Sequence, residues 1–225
     1  MSGPDLRKAL EVTVTAPVVS FRNPLYAGVQ VTLPCPSPAT VGGMLAAAAG
    51  GWDAVDPALS FAMTFHARGR GTDLETYHPL DVSGKKAPPA PRNRDFLADV
   101  TLRLWLFDDL ALWRLRLRRP RWPLRLGRSQ DLVHIALEDV PVNEKPGQLG
   151  GALVPESSVD AAASTRLRLP TAVSADRART KWDSYRFDRT GLGRQLVNGS
   201  WSTGDGQALS RLPSPHPATV PGPPG

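Results

Sequence analysis

Leu110 to Asp131 reads LALWRLRLRRPRWPLRLGRSQD and carries seven arginines, with no acidic residue until Asp131 closes it. Leucine and tryptophan alternate with the cations, so one side of the segment must pack while the other presents positive charge. The run ends in Leu126-Gly127-Arg128-Ser129, a tight turn bearing a further cation. A buried side and a cationic side on one segment suit a docked polyanion, with nucleic acid the best fit. The chain's net charge of +6 and sequence pI near 10.0 point the same way, or to an acidic protein or an anionic membrane surface. The basic residues are mostly arginine, which favours bidentate phosphate contacts and stacking on bases. A GC-rich genome produces the same skew.

Other chemistry is poorly supported. The histidines, His66, His78, His134 and His216, show no metal-ligand spacing, and the single cysteine, Cys35, excludes an intrachain disulfide and a cysteine-cluster metal site. There is no carboxylate pair, nucleophile elbow or phosphate-binding P-loop motif. No cofactor is expected. The chain opens on no signal peptide and has no apolar run near the ~20 residues of a membrane span, so a cytoplasmic protein is expected.

These residues need a scaffold, and the hydrophobic pattern supplies one. Glu11 to Phe21 is rich in β-branched residues and reads as a strand, with Pro17 marking a bulge or an edge. A proline-rich connection leads to a short helix through Val41–Gly51, with Thr40 as N-cap and Gly50-Gly51 as its stop. Gly42 and Gly43 weaken that helix, which implies close packing there. Leu59, Phe61, Met63 and Phe65 alternate with polar or small residues as a half-buried strand, and continuing the polar parity from His66 reaches Arg68 and Arg70. Gly71 to Asn93 reads as a loop or projecting hairpin. Leu102, Leu104 and Leu106 mark a further strand. Asp108 to Arg119 reads as a helix whose charges agree with its macrodipole, stopped by Pro120, with Leu110, Trp113 and Leu117 on its apolar face. Leu132 to Val140 closes the series as a strand, with His134 read as a core histidine. Trp52, Trp105 and Trp113 are expected in the core.

The order strand, helix, strand, excursion, strand, helix, strand predicts an α+β, ferredoxin-like (RRM-like, βαββαβ) domain. It occupies 1–140, with a thumb-like β-hairpin insertion at about 67–98. A smaller, irregular β-rich part follows over 141–210, and a Pro-rich tail over 211–225 is expected to be disordered.

Five blocks carry a family resemblance: SFRNP (Ser20 to Pro24), TLPCPSPATVGGMLAAAAG (Thr32 to Gly50), GTDLETYHPL (Gly71 to Leu80), NRDFLADVTLRLWL (Asn93 to Leu106) and PRWPLRLGRSQDLV (Pro120 to Val133). In this order and spacing the chain resembles the Cas-five family of CRISPR-associated proteins, of the RAMP superfamily. It is most similar to the type I-B branch. The resemblance implies a ferredoxin-like domain with a hairpin thumb. It also implies a role in capping the 5′ handle of crRNA within a type I Cascade complex. The implied partners are the backbone subunit, the large subunit and, through the complex, target DNA; no membrane is involved.

On this reading Arg125 and especially Arg128, flanking the Gly127 turn, contact the handle. Thr40, Gly42 and Gly43 either offer N–H groups to a phosphate at a helix N-terminus or serve close helix–sheet packing. Arg22 and Asn23 follow the first strand and face the ligand. His66, Arg68, Arg70, Lys85, Lys86, Arg92 and Arg94 lie in or beside the thumb, where some subset touches RNA. One branch of the family, type I-C, cleaves precursor crRNA with a Tyr–Lys–His constellation, and Tyr77, His78 and Lys85 lie close in sequence. Tyr77-His78 belongs to the I-B-like block, however, so no catalysis is expected. A metal-independent endoribonuclease is the rival reading, and a free-standing single-strand RNA binder is a third.

Overall fold

Leu10, Val12 and Val14 lie buried on one face of the first strand, β1 (Lys8–Val19), and alternate with Glu11, Thr13 and Thr15 on the other. In the computed structural model, residues 7–23, 26, 30–77, 89–159 and 164–222 are described. β1 starts and ends earlier than its residues predict. Two antiparallel neighbours flank it, β3 (Ala90–Leu106) and β4 (His134–Pro141), but pairing with β4 stops at Thr15. Pro17 therefore lies beyond the β4 ladder, where its missing N–H is tolerated. β2 (Phe61–Tyr77) completes a sheet of order β2-β3-β1-β4. With α1 (Pro38–Ala49) and α2 (Leu110–Arg118) inserted as expected, the architecture is the ferredoxin-like α+β fold.

α1 begins earlier than expected. Ser37, not Thr40, is the N-cap: its hydroxyl accepts the Thr40 N–H at 3.2 Å, and Pro38 takes the first helical position, where no N–H is needed. Gly50, in the left-handed region at φ 100°, ends the helix where expected. α2 is slightly shorter than Asp108–Arg119, and Asp109 offers no side-chain cap. Trp113 and Leu117 are buried and Leu110 packs beside them, as the helical spacing requires.

β2 and β3 form a hairpin paired from Phe61↔Leu106 to Tyr77↔Ala90. β1 leaves β3 at Val19↔Leu97, so the hairpin continues past the body of the sheet. Lys85, Lys86 and His78 lie outside the described residues.

Two expectations about burial fail. β2 is not half-buried at its start, because Ala62 and Thr64 are covered as well as Phe61, Met63 and Phe65. Their cover comes from farther along the chain: Val142 and Leu209 close over Ala9, Ala62 and Trp105, and the amide of Phe65 donates to the Gly151 carbonyl. His134 is exposed at the start of β4 rather than in the core. Trp105 and Trp113 are buried, and Trp52 packs half-buried against the core.

Beyond β4 come β5 (Leu153–Pro155), β6 (Thr165–Val173) and β7 (Thr180–Phe187), a sheet of order β5-β7-β6 that sets β6 against α1. Leu169, Tyr185 and Phe187 join the cluster that holds Leu45 and Leu104, so this part shares the main core. A short ribbon, β8 (Trp201–Ser202) with β9 (Ala208–Leu209), lies on the other face.

The Pro-rich tail is the clearest correction. Over its described part the Leu212 amide donates to the Phe61 carbonyl at 2.9 Å, and Arg179 donates to the Pro221 carbonyl. The His216 ring sits edge-on to Trp52, 5.3 Å between centroids. A Cβ on Gly42 would meet Pro215 at 2.5 Å. Prolines lack an N–H, so a proline-rich strap buries apolar surface without leaving donors unsatisfied.

Candidate nucleic-acid interface

The connection after β1 folds back as a narrow ribbon. Arg22 bridges Thr32, and the Leu33 amide donates to the Phe21 carbonyl at 2.7 Å. This sets Phe21 and Arg22 opposite the N-terminus of α1. The turn after α2 closes the third side. Leu126 N–H donates to Asp131 O at 3.0 Å, and Gly127 adopts φ 106°, where a side chain would meet the Ser20 carbonyl at 2.7 Å. Only glycine fits there.

Asp131 holds the turn in place. Its carboxylate, almost wholly buried, accepts Arg128 Nε at 2.9 Å, Arg128 Nη2 at 2.7 Å, the Arg128 amide at 3.0 Å and the Ser20 amide at 3.2 Å. Arg128 is thus a bidentate partner of its own turn first. Its remaining nitrogen, Nη1, is buried and has no hydrogen bond among the described residues. Between the three walls lies a groove of about 500 Å³ lined by Arg22, Thr40, Gly127 and Arg128 among others, with β6 supplying Pro170 and Val173.

The sequence candidates therefore divide. Arg22, Thr40 and Arg128 converge on the groove, and Arg22 is exposed with no ion pair among the described residues. Asn23 sits on the ribbon, its amide donating to the Val31 carbonyl at 3.0 Å. Arg125 bridges Leu132 on the exposed side of the turn and does not line the groove. Gly42 and Gly43 are corrected: both stand past the first helical turn, so their N–H groups are used inside α1 and not free for a phosphate. Of the two, only Gly42 explains itself by packing, since Gly43 faces open space.

His66, Arg68 and Arg70 share the exposed face of β2 as their parity predicts, but they stand apart from the groove. Arg68 reaches Asp99 at 3.5 Å, and both side chains are largely solvated. Arg70 pairs with Asp95, which also accepts the Thr72 hydroxyl at 3.0 Å; the Arg70 contact chiefly holds the Asp95 carboxyl below its ordinary range. Arg94 is spent on structure. Burial opposes its charge, but the carboxylates of Asp73 and Glu75 outweigh burial and raise its pKa. Arg92 is exposed on the hairpin.

Arg189 was not singled out from sequence. It stands with Arg68 and Arg70 on the rim of a second cavity, of about 270 Å³, and has no ion pair among the described residues. The Asp188-Arg189-Thr190-Gly191 turn was its only sequence signal. Among the described residues no group of His, Cys, Asp or Glu is arranged to hold a metal, and no helix is long and apolar enough to cross a membrane.

A ferredoxin-like sheet, a hairpin running out from it and an arginine-walled groove at the end of its first strand together define an α+β protein with a basic cleft beside its sheet. The chain belongs to the CRISPR-associated protein (Cas_Cas5) family, whose sequence profile matches residues 9–194. Solved structures share the fold, among them the following three. A chain of a CRISPR RNA-guided surveillance complex is 19% identical with TM-score 0.53, over 96% of this chain and 94% of that one. A CRISPR protein from Archaeoglobus fulgidus is 15% identical with TM-score 0.51, over 90% and 100%. A chain of the type III-B Cmr-beta complex bound to cognate target RNA and AMPPnP is 11% identical with TM-score 0.54, over 83% and 85%. No curated protein matches the sequence.

Proposed function

We propose that this protein is a structural RNA-binding subunit of a type I Cascade complex, of the I-B kind, that caps the 5′ handle of crRNA. The convergence of Arg22, the α1 N-terminus and Arg128 on one groove carries the reading. A single strand needs cations for its phosphates and open walls for its backbone, and the groove offers both. Family membership, and likeness to chains from an RNA-guided surveillance complex and an RNA-bound Cmr complex, support it. The protein holds RNA and contacts the backbone and large subunits for guided DNA recognition, without chemistry of its own.

The test is binding of a repeat-derived single-stranded RNA, followed by co-purification with the large and multi-copy backbone subunits. Affinity falls steeply with salt, since phosphate contacts release counterions. Specific cleavage of repeat RNA in EDTA, abolished in a Tyr77→Phe/His78→Ala double variant, establishes the endoribonuclease instead. RNA binding without subunit co-purification establishes the free-standing binder.

A further inference from the structure

The arginine-rich helix takes no part in the groove, since no residue of α2 lines it. Trp113 and Leu117 fill its buried side, and the opposite side is open. Leu112 and Leu115, 41% and 59% exposed, form an apolar centre there, with Arg118 and Arg119 exposed at the C-terminal end. Neither of these arginines has an ion pair among the described residues, whereas Arg114 is held by Asp139 and Arg116 lies over the Trp113 ring.

The N-terminal end is of opposite sign. Asp108 and Asp109 precede the helix, both exposed, and with Asp56 they edge a notch of about 340 Å³ that Leu112 also lines. Asp109 supplies no side-chain cap, and neither it nor Asp56 has an ion pair among the described residues. Asp108 reaches Arg211 at 3.5 Å, in a pair open to solvent.

The pattern is antisymmetric about a point between Trp113 and Arg114. Counting outward, Leu112 mirrors Leu115, Asp109 mirrors Arg118 and Asp108 mirrors Arg119. A two-fold axis through that point sets two such helices antiparallel and brings each residue against its mirror. Leucine then meets leucine at the centre, and each end joins two carboxylates to two guanidiniums. Antiparallel macrodipoles favour the same arrangement. A parallel pair sets carboxylate on carboxylate, and a nucleic-acid strand brings phosphate to Asp108 and Asp109 and leaves both leucines uncovered.

We propose that α2 is a self-association face: the free chain dimerises by antiparallel α2–α2 pairing, with Asp108 and Asp109 of each copy receiving Arg119 and Arg118 of the other. The nine-residue helix is about 14 Å long, too small a contact for a permanent dimer, so the pair is weak and depends on concentration.

The test is analytical ultracentrifugation of the full chain, freed of nucleic acid, over a concentration series in about 0.15 M salt. There a screening length of about 8 Å damps the repulsion between two copies of charge +6 but not the contacts between facing side chains. The weight-average mass rises from 24.2 kDa towards twice that value. Arg119→Asp sets carboxylate against Asp108 of the other copy, Asp108→Arg sets guanidinium against Arg119, and each weakens the dimer by on the order of tenfold. Both positions are exposed, and an unchanged melting curve verifies the fold. Mixed in equal amounts, the two variants recover wild-type association, because each then meets its complement. Leu115→Arg, also at an exposed position, abolishes association with the fold unchanged. A wild-type mass that stays at 24.2 kDa up to about 1 mM overturns the proposal and leaves the face to a different chain. Association that survives Leu115→Arg, a mixture that stays monomeric, or association seen only with RNA present overturns it equally.

Discussion

Removing the Arg128 side chain tests whether the groove wall is built by an internal ion pair. In Arg128→Ala the Asp131 carboxylate keeps the Ser20 and residue-128 amides but loses two guanidinium bonds of 2.9 and 2.7 Å. Breaking a fully buried pair from one side costs about 3–5 kcal/mol, because the remaining charge is left without its counter-ion. Arg128 itself is 19% exposed, against 2% for Asp131. Water reaches one end of the pair, and a cost of roughly 2–3 kcal/mol follows. At about 2–4 °C per kcal/mol for a chain of this size, the melting temperature falls by roughly 4–12 °C in differential scanning fluorimetry. Asp131→Ala produces a drop of the same order, and the double variant loses less than the sum. RNA affinity at 25 °C weakens in both single variants, because the wall beside Ser20 loses its anchor. An Arg128→Ala melting temperature within about 1 °C of wild type, with RNA binding lost in that variant alone, refutes the argument. Arg128 would then be a ligand-facing cation and not a brace.

The two helix glycines give opposite signs. Gly42→Val drives side-chain atoms into Pro215 and Trp52, lowers the melting temperature and makes the strap after Leu212 more susceptible to limited proteolysis, whereas Gly43→Ala stabilises by about 0.5–1 kcal/mol because it meets open space. Cys35 is fully buried and burial pushes its thiol pKa up, so Ellman's reagent titrates no thiol in the native protein and one in denaturant. Asp95 and Asp188 have lowered pKa values, the first chiefly through Arg70, the second because bonds from Thr190 and Gly193 outweigh its burial. Their folded pKa lies below the unfolded one, so their stabilisation is present above about pH 4 and lost as pH falls through the folded values. Acid denaturation followed by tryptophan fluorescence shows this limb; Asp188→Asn reduces its steepness.

The period-two runs at Phe61–Phe65 and Leu102–Leu106 made both strands readable, and with two helices bounded by their end signals they yielded the fold. Burial of Ala62 and Thr64 was not readable, because the residues that cover them come from Val142 onward and leave no local mark. The Ser37-Pro38-Ala39-Thr40 stretch contains two good caps, and only Pro38 at the first position decides between them. Gly42 and Gly43 are indistinguishable as letters; Pro215 tells them apart. The groove was partly legible, since Arg22, Thr40 and Arg128 were all named, but proximity of Asp131 to Arg128 had to be read as pairing for the brace to be seen. Arg189 lay in a region without periodicity and could be found only by the cavity it borders.

The strap from Leu212 to Pro221 closes long loops back onto the main sheet and the first helix. Phe61, Gly42 and Trp52 each meet a partner more than a hundred residues later in the chain. Without the strap, one end of the main sheet would stand unsealed and the Gly42 side of α1 bare. Contacts of such long sequence separation carry a loop-closure cost that grows only slowly with loop length, and they slow folding. The walls of the basic groove lie within Ser20 to Val173, so the strap takes no part in lining it. The strap therefore works as a clasp on the scaffold: loosening it would cost stability while leaving the groove's lining residues unchanged.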